Sequence, residues 1–590
     1  MTSTTTTPFS FLVFTDAHVT ATDGRTNSPF KVNALSNGRF YTAVDMMSKF
    51  NVDFAINLGD MVHPLPDSDD YSKAAERYFQ ISESLGHKQY CIPGNHDIGD
   101  KPSKWVPAKE ISSQSISKYR SYFGTDFQSF NHKGWQFVLL NAELFNSDLE
   151  NNVSQKKWLE NELKNFPIGR TIVSIHYPPF LYSSDETDHY DNLSPNDRDW
   201  LLKNFSKYKV PLVLSGHVHN FWYNSFKSTD LLIIPSTSFV RQDYAEMYAS
   251  PSPLEGGRDD INKLGFFLIK IDGDEIVWKF YRTFGGENNM QRRAPVAHCP
   301  KDKRNESFGA DMRLPWITNH EIPPSGALDE FYRKTVRNDY PFLALYELGI
   351  NRLRLPLNDL FQADVRERLT QIKKFGFEYT FYSLDNALPE LTDASETFAE
   401  LVDCLEIVSP INKLTEVEPQ IAKIKSKYSC PILLSPLWQK FGETDDLGRH
   451  LHVIKHGFAV KEFERAKDFS TKKSEFKNLK HDFDGVVCEL DILSAEKYVW
   501  DKINSWETIN KERLHILVSC KLSNPADQFI DEELLTSKLV ELWYKAKYSP
   551  NKVTFFIDSF TEIDRGYFRR AGIINRLGNP MKAWHELMRT

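Results

Sequence analysis

The chain has 590 residues, of which 41% are hydrophobic and 26% charged, and 72 lysines and arginines against 80 aspartates and glutamates leave a net charge of −8. That length exceeds one ordinary core and predicts two or more domains, while the charge gives no overall basic footprint and argues against nucleic acid as a partner. No window approaches 18 apolar residues, so no membrane span is expected. The opening stretch "MTSTTTTPFSFLVF" has no basic region, and its apolar piece is too short for a signal sequence. The six cysteines, at 91, 299, 404, 430, 488 and 520, show neither C-x-x-C spacing nor a dense framework. Reduced thiols and a cytoplasmic location are the expectation.

In chain order, short apolar runs at Phe9–Thr15, Phe54–Leu58, Gln89–Ile92, Trp135–Asn141, Thr171–Ile175 and Val210–Leu214 read as buried strands. Helical stretches at Arg39–Phe50, Tyr71–Leu85 and Ser154–Asn165 lie between them. The segment Phe266–Arg282 reads as two strands around a Gly-Asp turn. This α/β pattern predicts a first domain over 1–284. Polar residues 285–324, rich in Pro, Arg and Asn, read as an interdomain linker. From 325 to 590 the strand candidates are Arg352–Leu357, Glu378–Leu384, Cys404–Pro410, Pro431–Leu437, Gly457–Val460, Gly485–Leu490, His515–Lys521 and Val553–Phe560. Eight strands separated by amphipathic helices fit a (β/α)8 TIM-barrel-like domain, with an open doubly wound sheet as the alternative.

Polar clusters follow the strands of the first half. They are Asp16 and His18 in "FTDAH", Gly59 and Asp60 in "NLGD", Asn95 and His96 in "GNHD", His176 in "SIHYPP", and His217 and His219 in "SGHVH". Carboxylate, imidazole and amide without thiolate suit divalent transition metals. Two such ions close together need a bridging carboxylate, and Asp60 is the natural one. The pairs Asp16-x-His18 and His217-x-His219 are expected to share one side of an extended segment. His63 and His87 read as turn residues.

The ordered set D-x-H, G-D, G-N-H-D, H, G-H-x-H resembles the calcineurin-like metallophosphoesterase superfamily over about the first 280 residues. The resemblance implies an α/β sandwich and two divalent ions, Mn, Fe or Zn. One ion would be held by Asp16, His18, Asp60 and His219, the other by Asp60, Asn95, His176 and His217. It also implies attack on phosphorus by a hydroxide bridging the ions, with His96 protonating the leaving group and Asp97 orienting His96 or a ligand. "GDMVHP" lacks the tyrosine of purple acid phosphatases and the "GDxVDRG" of phosphoprotein phosphatases. What remains resembles class III cyclic nucleotide phosphodiesterases and related diesterases, so small phosphodiesters are the expected substrates. Monoesterase, nuclease and metal-stabilised scaffold readings stay as alternatives. Tyr182 and Tyr244, with Tyr190, are candidates to stack on a base or sugar; Arg241 is a candidate to meet a second phosphate or to pair with Asp243 or Glu246.

For the second half, Asp385, Glu489, Asp491, Asp558 and Glu562 are candidate glycosidase carboxylates, and "RRAGIINRLGNPMKAWHEL" resembles the close of glycosidase-like barrels. The commonest such clan places glutamates after strands four and seven. Here "LSPLWQ" and "SCKLSN" have none. A barrel for packing, homo-oligomerisation or substrate shaping is the favoured reading.

Overall fold

The structure, a computed structural model, describes residues 7–26, 28, 30–102, 109–186, 188–241, 254–286, 305–322, 331, 333–384, 388–393, 398–438, 455–459, 462–470, 476, 483–494, 497–506, 512–521, 531–550, 552–563 and 569–590. The chain divides into two compact units. One is Met1–Cys299 with Asn319–Tyr340, the other Pro300–Thr318 with Pro341–Thr590.

The first unit is built on two sheets. Strands β1 (Phe9–Phe14), β2 (Phe54–Asn57) and β3 (Gln89–Cys91) run parallel. The second sheet holds β4 (Gln128–His132), β5 (Trp135–Leu140), β6 (Thr171–Ile175), β7 (Leu212–Ser215), β8 (Trp222–Phe226) and β9 (Thr229–Ile233), in the order β4-β5-β6-β7-β9-β8. Strands β10 (Gly265–Asp272) and β11 (Glu275–Arg282) form the expected hairpin, which extends the first sheet beside β1.

Period-two alternation explains the sandwich. On β1, Phe9 and Phe11 point inward to Phe137 of β5, with Phe11 and Phe137 centroids 5.1 Å apart. Leu12 and Phe14 point outward and pack with the helices Ser36–Met47 and Tyr71–Ser82. The second sheet is covered by Glu150–Asn165 and Pro195–Tyr208. The latter starts on a proline in its first turn and stops at Lys209 in the left-handed region (φ 50°).

The second unit is a barrel of β12 (Phe308–Asp311), β15 (Arg352–Pro356), β16 (Glu378–Leu384), β17 (Cys404–Ser409), β18 (Ile432–Trp438), β21 (Gly485–Asp491), β22 (Arg513–Ser519) and β23 (Val553–Ile557). The intervening numbers are taken by a first-unit hairpin, β13 (Asn319–Ile322) with β14 (Lys334–Arg337), and by two-residue strands, β19 (Lys455–His456) and β20 (Phe458–Ala459). All eight barrel strands are parallel to their neighbours, and the β12–β23 and β18–β21 pairings close the ring. The open-sheet alternative is thereby excluded.

Two expectations are corrected. The strand expected at Gly457–Val460 is present only as the two-residue β20, which pairs with β21 but is no stave of the ring, because β18 pairs directly with β21 through Leu433 and Gly485. The missing stave is β12, inside the stretch read as a linker. Its sequence "FGAD" has no apolar run to betray it, and Gly309 is dictated by crowding: a Cβ there would sit 2.6 Å from the Arg352 carbonyl.

Contacts that skip strands mark the barrel interior. Cys404, Leu433, Val487, Leu517 and Phe556, from five strands, form one apolar cluster. Beside it, Arg354 donates to Glu406 (2.7 Å) and Asp311 (2.5 Å), and Glu406 meets His515 Nδ1 at 2.7 Å. The five described cysteines, all but Cys299, are free thiols. Among the described residues no helix is long and apolar enough to cross a membrane.

Candidate metal centre

The ligand residues lie just past the carboxyl ends of strands in both sheets, rather than along one sheet edge. Strands β1, β2 and β3 deliver Asp16, His18, Asp60 and Asn95; β6 and β7 deliver His176, His217 and His219. The loops are laced together by backbone bonds, Asp16 N to the Gly59 carbonyl (3.0 Å), His18 N to the Asp60 carbonyl (2.9 Å) and Gly216 N to the His176 carbonyl (3.0 Å).

Backbone conformation is the departure from expectation. Asp16, His18, Asp60, His217 and His219 all have positive φ, between 45° and 68°. The x-spaced pairs are therefore not extended; left-handed residues on either side of Ala17 and Val218 turn both side chains to the centre. Asp and His tolerate this region better than most residues, at a cost of order 1–3 kcal/mol each where a site is over-determined. Gly59 (φ 106°) and Gly94 allow the loops to touch, since a Cβ at Gly59 would fall 2.6 Å from Gly94 N and 2.7 Å from His176 Nδ1.

Two groups of donors result, sharing Asp60. Asp16, His18, Asp60 and His219 converge in one, and Asp60, His176 and His217 in the other. Asp60 Oδ2 is 3.4 Å from His18 Nε2 and 3.6 Å from His176 Nε2. His219 Nε2 lies 3.2 Å from Asp16 Oδ1. The Asn95 Oδ1 completes the second group, 3.3 Å from His176 Nε2 and 3.1 Å from His217 Nδ1. The ring atoms facing inward are set from outside: His176 Nδ1 bonds the Leu58 carbonyl and His219 Nδ1 the Phe239 carbonyl, each at 2.8 Å.

Electrostatics fit a cation. Burial pushes Asp60 well above the ordinary carboxylate range, and the Asp16 and Asp97 charges add to this. Burial also raises Asp16, but His219 beside it outweighs that and holds it low. Burial holds His18, His176 and His217 below the ordinary imidazole value, so each offers a neutral lone pair. Asp16 Oδ1 is buried and is faced by the imidazoles of His219 (3.2 Å) and His18 (3.9 Å). Two adjacent buried carboxylates whose oxygens face imidazole nitrogens rather than lysine or arginine are a donor set for divalent ions.

His96 has its backbone N–H on Asp60 Oδ1 (2.8 Å) and its Nδ1 on the His63 carbonyl (2.5 Å). Asp97 does not hold His96. Its carboxylate accepts N–H bonds from Gly94 (2.9 Å), Met61 (3.2 Å) and Val62 (3.2 Å), tying the Asp60 loop to the Asn95 loop, while burial raises it to about 7. His63, read as a turn residue, stacks on His96 with centroids 5.2 Å apart.

A pocket of about 320 Å³ opens over the donors, walled by Phe30, His63, Tyr190, Phe239, Arg241 and Arg258. Arg258 lies 4.4 Å from the rings of both Phe30 and Phe239. Arg241 lines the pocket over Tyr190 and is ion-paired with Asp191. Tyr182 is not among the lining residues. Glu186 accepts from Leu181, Tyr182 and Asn192, and the Tyr182 hydroxyl bonds to Thr335 while Tyr190 lines the pocket. Tyr190 instead accepts from Asn95 Nδ2 at 3.2 Å. Tyr244, Asp243 and Glu246 lie outside the described residues. Arg258, Phe30 and Phe239 carry no motif; only the packing of distant loops brings them here.

In the barrel, Asp385 lies outside the described residues. Asp491 is exposed and caps its own turn through Leu493 N (2.9 Å), Glu489 is half-buried on the same strand, and Glu562 is half-buried beyond β23. Asp558 is buried, accepts from Cys520 N (3.0 Å) and faces Arg570 (3.2 Å). Its bonds hold loops together, which matches a structural carboxylate.

Residues 9–221 match the model of the calcineurin-like phosphoesterase family. The human serine/threonine-protein phosphatase CPPED1 is 26% identical over 250 residues, 40% of this chain and 71% of that protein. A 3',5'-cyclic-nucleotide phosphodiesterase of Nostoc sp. is 25% identical over 259 residues, 42% of this chain and 86% of that protein. A solved purple acid phosphatase from yellow lupin seeds aligns with 48% of this chain and 53% of its own, at 15% identity and TM-score 0.35.

Proposed function

Because the N-terminal part of the chain is a calcineurin-like phosphoesterase domain, and so a metal-dependent hydrolase of phosphoesters, we propose that it cleaves small phosphodiesters of the cyclic-nucleotide or glycerophosphodiester type. The observation that carries this is the pocket. Aromatic and cationic side chains stand on both sides of the donors, Phe30, Phe239 and Arg258 on one hand and Tyr190 and Arg241 on the other. A diester has a substituent on each side of phosphorus to be met by such walls.

Asp16, His18, Asp60 and His219 would hold one divalent ion and Asp60, Asn95, His176 and His217 the second. Such ions supply Lewis acidity at phosphorus and an acidified water. The chain's own residues do the rest. Arg241 and Arg258 orient the phosphate and the groups it carries. His96 commits Nδ1 to the His63 carbonyl, so Nε2 is the atom that holds a proton for the departing alkoxide. Burial holds His96 down to about 4, and an anionic substrate beside it favours the protonated form.

The test is turnover of bis(p-nitrophenyl) phosphate against p-nitrophenyl phosphate with added Mn²⁺. Higher kcat/KM on the diester is expected. Preference for the monoester would favour a phosphatase, the activity in the name of the human relative.

A further inference from the structure

We propose that the groove along the helix Pro195–Tyr208, on the phosphoesterase unit but apart from the metal centre, binds a ligand of its own: a small molecule that carries a phosphate on an apolar or aromatic body, with Arg198 meeting the phosphate. The proposal goes beyond the diester reading and stands without it.

The groove has a volume of about 780 Å³, within the range of small-molecule sites. No described residue lines both this groove and the pocket over the metal donors. One wall is a single face of the helix: Pro195, Arg198, Leu202 and Ser206 recur three or four residues apart, which a period of 3.6 puts on one side. Segment 184–186 and the turn between β8 and β9, with Phe226 and Lys227, complete it. All of these belong to the same compact unit.

Arg198 is what marks the groove as a site. It is 2% exposed, yet its Nε and Nη1 are buried with no hydrogen-bond partner among the described residues. Asp199 Oδ1 lies 3.8 Å from Nε, beyond hydrogen-bond reach, on a side chain 71% exposed. The other two carboxylates of the groove are engaged within their own loop. Glu186 accepts from the N–H groups of Leu181, Tyr182 and Ser183 and from Asn192. Asp185 is exposed, and the Ser183 hydroxyl, more than Arg198, holds its carboxyl low. A buried guanidinium with unmet donors is costly. This one also stands near the start of its helix, the positive end, where a cation is disfavoured and an anion welcome. An oxyanion beside it turns both penalties into gains.

The remaining lining groups give the ligand's class. Lys203, Lys207 and Lys227 are exposed cations around the groove, so a dianion suits it better than a single carboxylate. A phosphate monoester carries about −1.5 to −2 near neutral pH. Leu202 and Phe226 offer apolar surface to the body that bears it.

The test uses the full chain loaded with Mn²⁺ and phenylphosphonate, whose C–P bond is not a phosphoester and survives the metal centre, with inorganic phosphate as the comparison. Calorimetry on the parent is expected to show one event beside the metals and a second in the groove, the second tighter for phenylphosphonate than for phosphate. Arg198→Gln is expected to weaken the second event about tenfold or more, while metal content, the first event and turnover of bis(p-nitrophenyl) phosphate stay as in the parent. If Arg198→Gln does not fold, Lys203→Gln combined with Lys227→Gln, at exposed positions, carries the test and is expected to weaken the same event. A single event in the parent, a second event unaltered in the variant tested, or equal affinity of the second event for phosphate and phenylphosphonate overturns the proposal.

Discussion

At the scale of single residues, the shared carboxylate and the free imidazole make different predictions. Asp60 stands in both donor groups, so Asp60→Ala is expected to lose both metals, whereas His219→Ala weakens one. Near-stoichiometric metal in Asp60→Ala by elemental analysis would contradict the shared role. His96→Ala is expected to keep its metals and lose about 10²–10⁴ in kcat on alkyl diesters. With a p-nitrophenolate leaving group, which hardly needs a proton, the loss should be far smaller; equal losses would make His96 a positioning residue. The seven donors were legible because each motif is short, polar and placed after an apolar run. His63, Arg258 and Phe239 were not, since nothing local distinguishes them from turn or core residues. Tyr182 and Tyr190 part ways because Glu186 ties down the backbone at Tyr182, which spacing does not reveal.

At the scale of elements, the loops after β2 and β3 interlock through glycine. A Cβ at Gly94 would meet Asp60 N at 2.5 Å and His176 Cε1 at 2.6 Å. Gly94→Ala is therefore expected to lower both metal content and melting temperature, and a variant with parental values of each would show that the loops have slack. The barrel's polar layer offers a pH prediction. Burial opposes the Glu406 charge, but Arg354 and His515 outweigh it and bring the carboxyl down to about 2 from an ordinary 4.5. A depressed acid stabilises the fold above its unfolded value, and the contribution disappears as pH falls from 4.5 through 2. Glu406→Gln should cost about 3 kcal/mol at pH 7 and flatten the acid limb of the barrel's calorimetric transition. An acid limb unchanged in Glu406→Gln would place the titration elsewhere. Apolar periodicity made the central strands and their helices readable, whereas β12 is a buried four-residue strand too short to show a period and β13 and β14 are short and polar, so their strand character comes from their partners.

At the scale of the whole molecule, a cut after residue 284 removes more than a barrel. It also removes the β13–β14 hairpin, whose Arg337 is bonded to β8. The fragment 1–284 is expected to melt at a lower temperature than the same unit in the full chain, since Val336 no longer packs with Leu181, Val218, Trp222 and Ile233, and an equal melting temperature would show that the matched domain is self-sufficient. The division between the units is not a single point, since the backbone passes between them after Cys299, Thr318 and Tyr340. Composition shows a polar stretch there; β12 goes to the barrel by pairing with β15 and β23, and the β13–β14 hairpin goes to the first unit through its bonds to Tyr223 and Asn224 of β8.

That interleaving sets a timetable for synthesis. Strand β12 leaves the ribosome after most of the phosphoesterase unit, yet one of its two neighbours, β23, begins only at Val553. At ~5–20 residues per second, on the order of ten seconds or more separate the two. Through that interval β12 can pair only with β15, while the hairpin made directly after it already completes the earlier unit. The phosphoesterase can therefore mature while the chain is still being made, with an unfinished barrel strand tethered between its pieces, and the barrel closes last.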